Sequence, residues 1–252
     1  MNQNPYADSA GVPWEGRAFE PNAWAHDDGS ANPKLMRAIA ALQAGQAVTE
    51  DVIEEIKNSR LLIPLLAQLG DSDVGSHGQT VDKSADLSIV TVETPDQQDA
   101  LPVFSSVAAM KAWNPDARPV PVDAAKAALA AASEGNTRMV LDAGNPSEFV
   151  IRRTAIAAIA QGLNWVHPVR DERVHRAFEA AVLLGEEILG FSLADADPRS
   201  TLEAAELVLE LKIAPGLTRE QLDPVLQDLA KALAASHDIA EYVDSLRVKL
   251  VA

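Results

Sequence analysis

Alternation is clearest near the end of the chain. Leu207, Leu209, Leu211 and Ile213 alternate with Val208, Glu210 and Lys212, the two-residue repeat of a strand with one buried face. Leu222, Val225, Leu226, Leu229 and Leu233 fall on one stripe at helical spacing, and Thr218 with Gln221 supplies a capping box in front of them. Leu246, Val248 and Leu250 then oppose Ser245, Arg247 and Lys249, a second two-faced strand.

Around these pieces the pattern predicts a short strand over 163–167, a helix over 172–184, strands over 188–194 and 205–213, the helix over 219–235 and a last strand over 243–251. That order is βαββαβ, the ferredoxin-like arrangement, in which the first strand lies between the third and the fourth. Glu210 and Arg247 would then sit too far apart to bond directly. Pro168 ends the first strand early.

Upstream, Asn32 before Pro33 marks a helix start, with Leu35, Ile39 and Leu42 as its apolar stripe. Thr49, Glu50 and Asp51 open a second helix that buries Val52, Ile53 and Ile56 and ends near Asn58. The run 61–69 reads as a buried strand, 71–85 as an exposed loop, and 87–92 and 101–104 as further strands. Ser105 or Ser106 can cap a short helix through Trp113, and Asp123 another that ends at Gly135. Pro115, Pro119 and Pro121 forbid regular helix between those two. A hairpin of 139–142 and 149–151 around Ala-Gly-Asn-Pro follows, then a helix over 154–161 with Gly162 as a left-handed cap.

Residues 1–32 show no period and carry many Pro, Gly, Asn and Asp residues, so they read as an irregular arm. The arm also holds Tyr6, Trp14, Phe19 and Trp24, whereas disordered tails are poor in aromatics. Trp14, Phe19 and Trp24 are therefore candidate anchors, onto the chain's own body first and onto a partner second. The expected division is an arm (1–32), an N-terminal domain (33–162) and a C-terminal domain (163–252).

Composition narrows the function classes. Thirty-seven acids against twenty-one bases give a formal charge of −16, which repels phosphate backbones and anionic lipid, so neither nucleic acid nor membrane is expected as a partner. RNA binding at the C-terminal sheet is disfavoured further, because Val208, Glu210 and Lys212 offer no stacking aromatic. Zero cysteines exclude thiolate chemistry and suit a reducing compartment, and the first thirty residues lack a signal peptide's basic start and apolar core. The cytoplasm is the expected location.

Ala100-Leu101-Pro102-Val103-Phe104-Ser105-Ser106, then Ala112-Trp113 and Arg118-Pro119-Val120-Pro121-Val122, resemble the N-terminal domain of the SseB family. Val140-Leu141-Asp142, Pro146 and Phe149-Val150-Ile151-Arg152-Arg153 are similar to the same domain, so the resemblance covers most of 33–162. In the arm, Gly11-Val12-Pro13-Trp14 and Asp27-Asp28-Gly29-Ser30 resemble members from high-GC Gram-positive bacteria. The resemblance implies an α+β fold and a cytoplasmic place, and brings no catalytic residue with it.

Candidate chemistry is sparse. His26, His77, His167, His175 and His237 show no metal-ligand spacing, and even Glu172 with His175, three apart on one helix, reads as a solvated pair. No nucleophile elbow, P-loop or dinucleotide fingerprint occurs, so no cofactor is expected. The one suggestive cluster is Asp142, Asn145, Glu148, Arg152 and Arg153, which the hairpin would gather. Its favoured reading is an ion pair or turn cap, with at most one arginine meeting Asp142, and a carboxylate or phosphate site as the alternative. On the favoured reading Asp142→Ala and Arg152→Ala cost within about 1 kcal/mol. The expectation is thus an α+β protein without catalytic, cofactor or metal residues, acting through a protein partner or as a homo-oligomer. The alternative is a small-molecule, amino-acid-sensing protein or enzyme.

Overall fold

The computed structural model describes residues 27–68, 86–182 and 186–251. Its first half runs α1 (Pro33–Gln43), α2 (Thr49–Lys57), β1 (Arg60–Gln68), β2 (Asp86–Ile89), β3 (Val92–Glu93), β4 (Asp99–Val103), α3 (Val107–Trp113), β5 (Arg118–Asp123), α4 (Ala124–Ser133), β6 (Arg138–Leu141), β7 (Phe149–Ile151) and α5 (Arg153–Gln161). After a single 3₁₀ turn, Pro168–Arg170, come α6 (Glu172–Ala181), β8 (Ile188–Asp195), β9 (Leu207–Ile213), α7 (Arg219–Ala235), α8 (His237–Tyr242) and β10 (Leu246–Val251). The fold is α+β.

A four-stranded sheet, β3-β4-β6-β7, organises the first half, with β4 and β6 parallel and β6 and β7 forming the expected antiparallel hairpin. Alternation along its strands sends Leu101, Val103, Met139, Leu141, Phe149 and Ile151 to one face. There they meet the apolar stripes of α1 and α2 and the small residues of α4 and α5, a helical layer on one side of a sheet. The opposite face presents Ala100, Val140 and Val150, which Leu202 and Trp113 help to cover. A second sheet, β2-β1-β5, joins the first through a bridge between Leu62 and Phe104.

Gly29 packs closely against this body. Its φ of +77° and its carbonyl, bonded to the Val107 amide at 2.9 Å, place it so close to Val107 that a Cβ would lie 2.7 Å from that side chain. Only glycine fits. The arm anchors Trp14, Phe19 and Trp24, and the 71–85 loop, lie outside the described residues.

Three expectations change. The stretch 163–167 forms no strand: Pro168 cannot extend one, and the His167 amide bonds the Glu50 carboxylate at 3.0 Å instead of a neighbouring strand. In consequence β9 and β10 become direct parallel neighbours in a β10-β9-β8 sheet, so the C-terminal half does not have the ferredoxin-like order. Glu210 stands opposite Lys249 in that ladder and bonds it at 2.8 Å, while Arg247 stands opposite Val208. The proline-rich stretch after Asn114 forms no helix, as expected, and contains strand β5, at an edge where proline costs no ladder bond on the open side. Finally, α8 occupies residues expected to be a loop between the helix and the last strand.

The two-faced character of β9 and the stripe of α7 hold. Leu207, Leu209 and Leu211 are fully buried in a cluster with Val174, Phe178, Leu229 and Ile239. Thr218 and Gln221 form the capping box, the Thr218 amide donating to Gln221 Oε1 at 2.9 Å.

Candidate functional site

The hairpin divides the predicted polar cluster between two neighbourhoods. Asp142, fully buried and held at φ +52°, accepts from the Ser105 amide at 2.8 Å and from the Ser105 and Ser147 hydroxyls at 2.7 Å each. Asn145 donates to the Ala109 carbonyl, and Glu148 accepts from the Gly144 amide at 2.6 Å. These three residues close the hairpin and tie it to α3. Neither arginine bonds Asp142.

Arg152 and Arg153 instead turn toward the C-terminal half. Arg153 donates to the carbonyls of Ala240, Glu241 and Val243, satisfying acceptors at the C-terminus of α8. Arg152 is 5% exposed, because it sits where β7 hands over to α5 and the loop after β8 closes over it. Its guanidinium pairs with Asp197, and reaches Asp244 at 3.2 Å, Ser245 Oγ at 3.3 Å and the Ala204 carbonyl at 2.9 Å.

Asp244 is the hub. With a side chain only 1% exposed, it also takes Arg138 at 2.7 Å, and Arg138 bonds Asp96 at 3.1 Å. Asp197 is fixed in turn by the Thr201 and Leu202 amides and the Thr201 hydroxyl. Glu206 completes the seam. Its Oε2 accepts the Asp244 amide at 2.7 Å, while its Oε1 is buried without a hydrogen-bond partner among the described residues. Burial, aided by the Asp244 charge, pushes its carboxyl up to about 7. Two guanidiniums thus already face three carboxylates, and a fourth negative charge would lack a cation to balance it.

A second polar contact flanks the first. Glu50 on α2 pairs with Arg170 and accepts the His167 amide; His167 itself is buried, with Nε2 3.6 Å from Asp195 and Nδ1 accepting the Val169 amide. Burial holds this imidazole below its ordinary value, against the opposing pull of Asp195. Between the two contacts lies a cavity of about 10 Å³ touched by Thr49, Arg152, Trp165, His167, Asp197 and Glu206, room for the centre of one water. A larger cleft of about 190 Å³ opens on the other side of Trp165, where Gln161, Asn164, Asp171, Arg173 and Tyr242 converge. Arg173 is bound by Asp171 at 2.6 Å and stacks 3.9 Å above the Tyr242 ring. Among the described residues no three His, Asp or Glu side chains come together as metal ligands, and no helix is long and apolar enough to cross a membrane.

Sequence reasoning did not single out Arg138, Asp197, Glu206 or Asp244. A signal existed for three of them. Each lies just before or at the head of an apolar strand, as Arg138 of Arg-Met-Val-Leu, Glu206 of Leu-Val-Leu and Asp244 of Ser-Leu-Arg-Val, and the seam gathers those strand beginnings.

These features define an α+β protein whose two apolar cores meet across a buried ionic seam. Residues 35–158 match the family model of the SseB protein N-terminal domain, and the chain belongs to the SseB family. No curated protein and no solved structure matches it.

Proposed function

We propose that the chain is a non-enzymatic interaction or regulatory protein of the bacterial cytoplasm. One observation carries this reading: the two guanidiniums of the seam are taken up by Asp96, Asp197 and Asp244, and the cavity beside them has room for about one water rather than a substrate. Such a constellation fixes the geometry of two packed halves, as an interaction scaffold requires. The absence of cysteine and the charge of −16 suit a dispersed protein in a reducing compartment.

The 190 Å³ cleft beside Trp165 favours a second reading, a sensor for a small polar molecule of amino-acid size, because a carboxylate, a guanidinium and two aromatic rings converge there. A thermal-shift screen against amino acids and common metabolites separates the two. A ligand at about a hundred times its dissociation constant adds roughly 2.7 kcal/mol. The interaction reading expects an unchanged melting temperature across the panel, and a hit abolished by Arg173→Ala replaces it with the sensor.

A further inference from the structure

The strand β10 forms one side of its sheet, and no strand lies on its outer edge among the described residues. Its ladder places Val248 opposite Leu209 and Leu250 opposite Leu211. Leu209 and Leu211 are fully buried, whereas Val248 and Leu250 are 42% and 43% exposed, so the apolar face of the sheet runs out uncovered at this edge. The other face of the strand carries Arg247 and Lys249. Lys249 leans back onto Glu210, and Arg247 makes no ion pair among the described residues. The opposite side of the sheet is blunted in a familiar way, by an irregularity between Ile188 and Gly190 in β8.

Charge selects what can occupy the edge. A second copy of β10, paired antiparallel with apolar faces together, can match most of the strand in only two registers, because a one-residue slip exchanges the faces. One sets Arg247 against Lys249 and the other sets Lys249 against itself, so both put like charges across the ladder. An extended segment of another protein with acidic residues at alternate positions meets the cations on one face and Val248 and Leu250 on the other. With screening lengths of about 8 Å in the cell, Arg247 outweighs the distant negative charge, while Lys249 shares its ammonium with Glu210.

We propose that the open edge of β10 receives such an alternating apolar and acidic segment of a partner protein as a fourth strand. This rests on the interaction reading above and gives it a surface.

The test uses the full chain and an eight-residue peptide alternating valine and glutamate, with its valine–lysine counterpart as control. The glutamate peptide is expected to slow amide hydrogen exchange across 246–251, and its affinity to fall at least tenfold in the Arg247→Glu/Lys249→Glu double variant, which then prefers the lysine peptide. Should that variant fold poorly beside Glu210, Arg247→Gln/Lys249→Gln serves, and is expected to lose the preference for either peptide. Protection by neither peptide, or equal binding by all variants, overturns the proposal. So does a dimer in solution that the double variant dissolves, since a second copy would then hold the edge. A specific partner crosslinked in cells and retained by both variants would also overturn the edge assignment, yet leave the interaction reading standing. Edge binding followed by loss of that partner in the variants supports both.

Discussion

Arg152 and Asp142 show how one hairpin assigns two unrelated tasks. As exposed residues their removal would cost within about 1 kcal/mol. Both are buried instead. Arg152→Ala leaves Asp197 and Asp244 with less cationic compensation in a buried seam, and is expected to cost about 3 to 5 kcal/mol in urea unfolding. Asp142→Ala strips the Ser105 amide and two hydroxyls of their acceptor and should cost more than about 2 kcal/mol, with Asp142→Asn recovering part of the loss. What hid this from the sequence is that burial of a charge depends on a partner from a distant segment: Arg152 and Asp244 are 92 residues apart. Adjacent serines are equally opaque. Ser106 caps α3, with its hydroxyl accepting the Ala109 amide, whereas Ser105 holds Asp142.

Glu206 adds a pH dependence at the same scale. Its carboxyl titrates near 7 in the folded chain against an ordinary value of 4.5, so the folded state holds the proton more tightly. Its contribution is therefore fully present below about pH 4.5 and lost as pH rises to about 7, a change on the order of 3 kcal/mol. His167 works in the opposite direction, since its folded value is depressed and protonation on acidification disfavours the native state. Unfolding free energies of the wild type and Glu206→Gln at pH 5 and pH 8 isolate the first effect. The difference between the two proteins should change by more than 1 kcal/mol between those pH values, in the direction that favours the wild type at pH 5.

Among the elements, helices with a cap and a stripe were legible, as were strands with alternation, because both signals are local. α1, α7 and β9 stand close to where their residues predict them. Strands containing proline were harder. Pro64 sits inside the central strand β1, opposite Pro119, yet it falls between Leu62, which bonds Phe104, and Leu65, where pairing with β2 begins. That gap asks no ladder bond of it on the second side. The strand lost from 163–167 has the converse cause, since the Trp165 indole bonds the Thr154 hydroxyl and the His167 amide, which a ladder would need, bonds the Glu50 carboxylate. In the sheet that results, Leu209→Asp places an unpaired charge in a closed core, and a loss above about 4 kcal/mol is expected by denaturant titration. A double-mutant cycle at Glu210 and Lys249 should give a coupling that high salt removes, and the cycle at Glu210 and Arg247 should give none.

Across the whole molecule, the seam makes the two cores depend on each other. Wild-type unfolding followed by tryptophan fluorescence and by circular dichroism should trace one transition, and Arg138→Ala/Arg152→Ala should separate the two probes. A further join lies beside the charges. The loop after β8 sets Ser200 against the outer edge of β7, where the Val150 amide donates to the Ser200 carbonyl at 2.8 Å and the Ser200 hydroxyl returns a bond to the Val150 carbonyl. Leu202 then settles on the Val140 and Val150 face. During synthesis the sheet edge emerges from the ribosome 50 residues ahead of the serine that closes it. For that interval the nascent chain carries an open strand and a partly covered apolar face, the pair of features through which unfinished proteins stick to one another. The later half of the chain is thus a shield that arrives after the part it protects, and translation slowed between Val150 and Ser200 would raise aggregation without any change in the finished fold.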